Sequence, residues 1–161
     1  MRNIFVTVGA QMPFDRLVAA MDRWAAAHPH HRVIAQIGNS ELAPVHLEWR
    51  RFLSPAELER LCDAADAVVG HAGTGTILAA LERQKPIVVM PRRAELRETR
   101  NDHQLATAKR FAEIAGVSIA WNERELGRAL ERISEARPIL SIAGEARGPL
   151  VRRLAAFLDQ D

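Results

Sequence analysis

The sequence predicts an α/β protein built on an open parallel sheet with helices on both faces. Strand-like and helix-like segments alternate along the chain, and this order places parallel strands in one sheet with the connecting helices packed against it. The run from Pro86 to Met90 is almost continuously apolar, which is typical of a strand covered on both faces. No linker, repeat or low-complexity tract interrupts residues 1–161, so a single domain is expected.

The first half of the chain contains predicted strands at Ile4–Val8, Arg32–Ile37 and Glu48–Phe52, and predicted helices at Phe14–Ala27 and from Ser54 to about Ala64. Apolar residues recur at helical spacing in the first helix. The second helix begins at a capping pattern, because Ser54 is followed by Pro55 in the first turn and by Glu57 three residues after the cap.

The second half of the chain contains predicted strands at Val68–Val69, Pro86–Met90 and Val117–Trp121, and predicted helices at Ile77–Glu82, Asp102–Ala115, Glu123–Ile133 and about Gly148–Leu158. Ligands bind beyond the carboxyl ends of parallel strands, near the switch in strand order. Three loops of unusual composition follow predicted strands, namely Gly9–Phe14, Gly70–Thr76 and Pro91–Gln104. A binding cleft is therefore expected where these loops meet.

Composition excludes several classes of protein. The net charge of +2 is too small to indicate nucleic-acid binding, and no apolar run approaches the ~20 residues of a membrane span. The N-terminus has a strand pattern and not that of a signal peptide, so a cytoplasmic protein is expected. Cys62 is the only cysteine and is expected to be a small buried hydrophobe on a helix. The spacing of His28, His30 and His31 matches no zinc pattern, so no metal site is expected.

The glycine-rich turn Gly70–Thr76 lies between the apolar run Ala67–Val69 and a helix. The first N–H groups of a helix lack partners and carry partial positive charge, so a diphosphate fits such a turn. Gly73 and Gly75 are expected to allow close approach of the backbone and positive φ. The same residues also serve simple chain reversals, and the turn is neither a Walker A loop nor a complete G-x-G-x-x-G fingerprint. His71 either bonds a backbone carbonyl or faces a ligand.

The charged loop Pro91–Gln104 has two interpretations. In one it is a solvated loop whose Asn101 or Asp102 caps the next helix. In the other, the polar run that ends at Gln104 bonds a polyhydroxylated ligand, and the arginines of the loop pair with phosphate or carboxylate. No Ser/His/Asp relay and no carboxylate pair stands out in the chain.

An ordered set of motifs resembles the C-terminal, donor-binding half of family 28 glycosyltransferases, a Rossmann-like half of a GT-B fold. The matching runs are Phe5–Gly9, Pro13–Asp15, His71–Ile77, Ala80–Glu82, Lys85–Arg92 and Asn101–Gln104. More closely, the sequence resembles the small subunit of two-component glycosyltransferases. One such group makes bacterial exopolysaccharide, and another is the catalytic subunit of the eukaryotic transferase that adds the second GlcNAc to the dolichol-linked glycan.

The resemblance implies roles for particular positions. The turn Gly73–Thr76 matches the part that faces the diphosphate of a UDP-sugar, the position of Leu53 offers backbone groups to uracil, and those of His103 and Gln104 contact sugar hydroxyls. The loop Gly9–Phe14 matches one that faces the acceptor half. The implied nucleotide-sugar site is Gly9, Leu53, His71, Gly73, Thr74, Gly75, Thr76, Asn101, Asp102, His103 and Gln104, and the implied partner-facing positions are Gln11, Pro13 and Phe14.

The resemblance also implies an inverting transferase that works with a second, membrane-anchored subunit at the inner face of the membrane. That subunit would bind a lipid-linked acceptor, and the general base is either His103 or a group of the partner. No cofactor or metal is expected, since there is no Asp-x-Asp motif. One position departs from the family, because Ala79 stands where many relatives hold ribose with a glutamate, and Glu82 lies three residues later.

The donor sugar is left open among glucuronic acid, GlcNAc and glucose, of which a uronic acid suits the arginine-rich loop. Two other functions also remain open at this point. One is a non-catalytic nucleotide-sugar-binding or scaffold protein, and the other is an enzyme similar to nucleotide-sugar epimerases.

Overall fold

The computed structural model describes residues 1–135, and within them six parallel strands form one sheet in the order β3-β2-β1-β4-β5-β6. The strands are β1 (Asn3–Thr7), β2 (Arg32–Gln36), β3 (Glu48–Arg50), β4 (Ala67–His71), β5 (Ile87–Met90) and β6 (Val117–Ile119). The helices are α1 (Asp15–Ala27), α2 (Pro55–Ala64), α3 (Thr74–Glu82), α4 (His103–Phe111) and α5 (Glu123–Glu135). The helix predicted at about Gly148–Leu158 lies outside the described residues.

The strand order reverses between β1 and β4. The chain runs outward from β1 through β2 to β3, and then returns to place β4 on the other side of β1. Thr7 is paired with Gly70 at the ends of these two strands, so the loops that follow them leave the sheet at the same level and diverge. This is the position at which open α/β sheets hold their ligands.

Helices cover both faces of the sheet, which confirms the predicted fold class. Helices α1 and α5 pack on one face, and α2, α3 and α4 pack on the other. Buried side chains of these helices include Leu17, Met21, Leu126 and Leu130 on the first face and Cys62, Ile77 and Phe111 on the second. Alternate residues of β1 serve the two faces, since Phe5 joins the second cluster and Val6 the first.

The observed bounds differ from the predicted ones mainly at the site. Strand β4 continues through Gly70 and His71, which were predicted to lie in the turn, because parallel pairing with β1 and β5 holds both residues. Helix α3 begins at Thr74 and not at Ile77, so the turn consists of little more than Ala72 and Gly73. The other observed strands and helices lie within a few residues of their predicted bounds.

Among residues 1–135 no helix has the length and apolar character needed to cross a bilayer. In the same residues, no three His, Cys, Asp or Glu side chains are grouped closely enough to hold a metal ion.

Candidate functional site

Two adjoining clefts open at the carboxyl edge of the sheet. The inner cleft has a volume of about 400 Å³ and is lined by Val8, Gly9, Ala10, Gln11, His71, Ala72, Gly73, Thr74, Arg92, His103, Gln104 and Thr107. The outer cleft has a volume of about 780 Å³ and is lined by Gln11, Met12, Pro13, Asn39, Arg92, Glu98, Thr99, Arg100, Asn101, His103 and Gln104. Since four residues line both clefts, the two form one continuous depression across the switch point.

The ring of His71 lies between the two glycine-containing loops. A Cβ atom on Gly9 would lie 2.8 Å from His71 Cε1, and one on Gly73 would lie 2.3 Å from His71 Nε2. Gly9 also has a φ of +77°, which side chains rarely adopt. The expectation of positive φ at Gly73 and Gly75 is wrong, because Gly73 has a φ of −93° and Gly75 belongs to helix α3. Gly73 is required for space beside the imidazole and not for its conformation.

His71 is neutral at physiological pH. Burial lowers its pKa to about 4, the Arg92 guanidinium acts in the same direction, and the Thr7 backbone opposes them more weakly. Among the described residues, no group lies at full hydrogen-bonding geometry to the buried Nδ1. The imidazole therefore offers the inner cleft a neutral donor or acceptor and not a positive charge.

The N-terminus of α3 has unpaired backbone donors beside the inner cleft. Gly73 is the N-cap residue, no side chain caps the helix, and the Gly73 N–H is already bonded to the His71 carbonyl at 2.8 Å. The N–H groups of Thr74, Gly75 and Thr76 have no partner among residues 1–135. Thr74 lines the inner cleft, whereas a Cβ on Gly75 would meet nothing within 4 Å. Unpaired N–H groups at a helix N-terminus favour an anionic oxygen group.

Gln104 joins the ends of β4 and β5. Its side-chain oxygen accepts hydrogen bonds from the N–H groups of Ala72 at 3.2 Å and Arg92 at 3.1 Å. The oxygen is thus committed to the protein, and only the amide nitrogen remains for a ligand. His103 is exposed at the start of α4 and lines both clefts, so its imidazole is accessible from either.

Three further residues of the predicted nucleotide-sugar site lie outside the inner cleft. Asp102 lies outside both clefts, where its side chain accepts from the Ala94 N–H at 3.0 Å. Asn101 lines the outer cleft and accepts from the His103 N–H at 3.2 Å. Leu53 also lies outside both clefts, and its side chain packs against the second core cluster.

Of the predicted partner-facing residues, Gln11 and Pro13 are exposed and line the outer cleft. Phe14 is fully buried, with its ring under the Arg92 guanidinium at 4.7 Å, so the prediction that its side chain faces a partner is wrong. Its aromatic ring is part of the first core cluster, and Phe14 is the N-cap residue of α1.

Arg92 is a structural residue that the sequence does not reveal. The residue is 3% exposed, and its guanidinium donates to the carbonyl of Val8 at 2.6 Å and to those of Pro13 and Glu98 at 2.9 Å. These bonds join the loop after β1 to the loop after β5. Neither sequence interpretation of the loop arginines, solvation or anion binding, applies to this residue.

An ion pair also organises this loop. Arg16 of α1 donates to both carboxylate oxygens of Glu98, at 2.7 and 2.9 Å, and also to the Pro91 carbonyl at 3.0 Å. Arg93 donates to the Trp121 carbonyl at 2.7 Å. The charged loop is therefore largely anchored to the body of the protein.

Comparison with known proteins supports a family assignment. The model of the glycosyltransferase family 28 C-terminal domain matches residues 3–140. A relative from Eremothecium gossypii, UDP-N-acetylglucosamine transferase subunit ALG13, is 31% identical over 168 residues, which cover 81% of this chain and 81% of that protein. The human protein of the same name is 32% identical over 121 residues, and the match covers 69% of this chain but 10% of the human one.

The fold of a solved relative agrees with the sheet described above. The solution structure of ALG13 superposes with a TM-score of 0.63 at 23% sequence identity, over 95% of this chain and 94% of that one. At this identity the likeness establishes the fold alone, namely the Rossmann-like sheet that GT-B glycosyltransferases contain.

Proposed function

The chain belongs to glycosyltransferase family 28, and on this basis we propose that it is the donor-binding subunit of a glycosyltransferase that uses a UDP-sugar. The relatives named UDP-N-acetylglucosamine transferase subunit support both the nucleotide and the subunit character. They also make GlcNAc the donor sugar with the most direct support, with glucuronic acid and glucose as the alternatives.

The observation that carries this proposal is the uncapped N-terminus of α3 beside the inner cleft. The N–H groups of Thr74, Gly75 and Thr76 would bind the diphosphate, and the helix macrodipole favours its negative charge. Because Gly73 has no side chain, the backbone that leads into α3 runs close to the His71 ring.

The remaining donor contacts follow from the positions of the other residues. Leu53 would offer its backbone to uracil, while Gly9 and His71 would form the wall beside the diphosphate. The amide nitrogen of Gln104, the imidazole of His103 and Asn101 would bond sugar hydroxyls across the two clefts. Asp102 would act on the donor indirectly, by fixing the loop at Ala94.

The reaction we propose is a direct displacement that inverts the anomeric carbon. An acceptor hydroxyl attacks that carbon, the bond to the UDP oxygen breaks, and the hydroxyl proton passes to a general base. The donors at the start of α3 stabilise the negative charge that develops on the departing UDP. His103 or a group of the partner would serve as the base, and no metal or cofactor is proposed.

We further propose a partner. A membrane-anchored subunit would bind a lipid-linked glycan and hold this chain in the cytoplasm at the inner face of the membrane. Polysaccharide synthesis, as in bacterial exopolysaccharides, is the proposed context. The exposed residues Gln11 and Pro13 at the mouth of the outer cleft would face this partner.

Calorimetry with UDP tests the diphosphate site. Gly75→Trp should weaken binding at least about tenfold, or roughly 1.4 kcal/mol, because the indole would cover the α3 donors. Gly75→Ala is the matched control and should bind nearly as well as the wild type, since its methyl group meets nothing within 4 Å. Equal UDP affinity in Gly75→Trp and the wild type would contradict the assignment.

Transfer assays test the subunit proposal. Sugar transfer to a lipid-linked acceptor is expected only when the partner is present. Robust transfer by the chain alone would refute the need for a partner. UDP binding without transfer under any pairing would favour a non-catalytic nucleotide-sugar-binding protein.

A further inference from the structure

We infer that the outer cleft binds an anionic oxygen group of a substrate, a carboxylate or a phosphate, through the guanidinium of Arg100. This inference rests on the proposed function, because it treats the outer cleft as the continuation of the donor site. Gln11, Arg92, His103 and Gln104 line both clefts, so the inner cleft is continuous with the outer cleft that Arg100 lines.

The charges around the outer cleft single out Arg100. Three charged side chains other than histidine line the cleft, namely Arg92, Glu98 and Arg100. The buried Arg92 guanidinium donates three hydrogen bonds to backbone carbonyls, and the Glu98 carboxylate is paired with Arg16 at 2.7 Å. Arg100 makes no hydrogen bond or ion pair with any residue in the described part of the chain. Arg100 is therefore the one charged side chain of this lining, within the described part of the chain, that has no protein partner and remains available to a ligand.

The neutral groups of the cleft fit the same ligand. Asn39, Thr99 and Asn101 line the outer cleft and can bond oxygen atoms around an anion. A guanidinium binds a carboxylate or a phosphate through two parallel hydrogen bonds, which a lysine or a neutral side chain does not reproduce. Because Arg100 is exposed, its effect on affinity should be several-fold and not complete.

An anionic oxygen group can reach the outer cleft from two sources. One is the donor, if its sugar is a uronic acid with a carboxylate at C6. The other is the acceptor, if its glycan is joined to lipid through phosphate. Both sources present the same chemistry to Arg100, and they are distinguished by which ligand responds to its removal.

The chain contains a matched control for this experiment. Arg97 lies in the same loop, is exposed and has the same charge, but it does not line either cleft. Arg100→Gln and Arg97→Gln therefore change the net charge equally and differ only in the position of the lost guanidinium.

Isothermal titration of the full chain with defined ligands tests the inference. UDP-glucuronate and UDP-glucose differ only at C6 of the sugar, and inorganic pyrophosphate titrated into UDP-saturated protein represents the acceptor group. We expect Arg100→Gln to weaken either UDP-glucuronate relative to UDP-glucose, or pyrophosphate, by about 5–10-fold. Arg97→Gln should leave both affinities unchanged.

The outcomes separate this inference from the proposed function. If Arg100→Gln changes neither affinity more than Arg97→Gln does, the inference is overturned while the UDP site stands. If wild-type protein binds no UDP, the proposed function fails. Pyrophosphate titrated without UDP then still decides whether Arg100 binds an anion.

Discussion

At the scale of single residues, steric fit around the His71 ring requires glycine at positions 9 and 73 beside the switch point. The imidazole occupies the space that a side chain on Gly9 or Gly73 would need, so each of the two loops can approach the ring only with a glycine. Burial, assisted by Arg92, also keeps the ring neutral by lowering its pKa to about 4. The His71 side chain thus has two effects on the inner cleft. It excludes side chains at Gly9 and Gly73, and it contributes no positive charge.

Alanine substitutions at the two glycines of the turn test this steric interpretation. Gly73→Ala places a methyl carbon 2.3 Å from His71 Nε2 and should lower the free energy of unfolding by about 1–3 kcal/mol. Gly75→Ala meets nothing within 4 Å in a helix and should leave stability unchanged or raise it by about 0.5–1 kcal/mol. Urea denaturation measures both. Equal stability of the two variants would show that His71 does not exclude a side chain at Gly73.

At the scale of elements, the helices differ in how they begin. Helix α2 starts with a complete capping box, in which the Ser54 hydroxyl accepts from the Glu57 N–H and the Glu57 carboxylate accepts from the Ser54 N–H. Helix α3 starts with no side-chain cap. Because capping groups would occupy the very donors that a ligand needs, the open start of α3 agrees with binding and the closed start of α2 with a structural role.

Substitutions at the two residues of the capping box should destabilise the protein to different extents. Ser54→Ala should lower the free energy of unfolding by about 1 kcal/mol, because the Glu57 N–H loses its partner. Glu57→Gln keeps an acceptor for the Ser54 N–H and should cost less than Ser54→Ala. Chemical denaturation compares the two variants with the wild type. A larger loss in Glu57→Gln would mean that the carboxylate charge outweighs the hydroxyl cap.

Across the whole molecule, the cleft is held by contacts between distant parts of the chain. Arg92 binds the Val8 carbonyl across 84 positions of sequence, and Arg16 binds Glu98 across 82. Both contacts join the first βα loop and helix α1 to the loop after β5. The two rims of the cleft are consequently fixed to each other before any ligand enters.

Replacing one member of the Arg16–Glu98 pair should destabilise the protein more than replacing both members with apolar residues. The two side chains are 14% and 10% exposed, so Glu98→Gln leaves a nearly buried guanidinium without its anion and should destabilise the fold by about 3 kcal/mol. Replacing both residues, as Arg16→Met with Glu98→Leu, should recover much of that loss. A double-mutant cycle built from Arg16→Met, Glu98→Leu and their combination, measured by urea denaturation, gives the coupling. Additive effects of the two single substitutions would contradict a direct pair.

Local pattern is enough to predict most of the strands and helices of this chain. Ser54 and its neighbours specify a helix start within four residues, and alternating or continuous apolar runs mark β1 and β5. The prediction was less accurate at Gly70 and His71, because glycine is a poor strand former by itself. Their extended conformation is held by pairing with β1 and β5, which lie far away in the sequence.

The candidate site shows the same division. The positions of Gly73, Thr74 and His103 at strand and helix ends follow from hydrophobic periodicity and turn residues, which are properties of adjacent positions. The roles of Arg92, Gln104 and Phe14 do not, since each acts on a group that only the strand order brings near. The local sequence around an arginine in a charged loop does not tell whether its guanidinium is solvated or, like that of Arg92, buried and bonded to three backbone carbonyls. Arg92 and Arg100 acquire opposite roles because folding surrounds one with acceptors and leaves the other facing an open cleft.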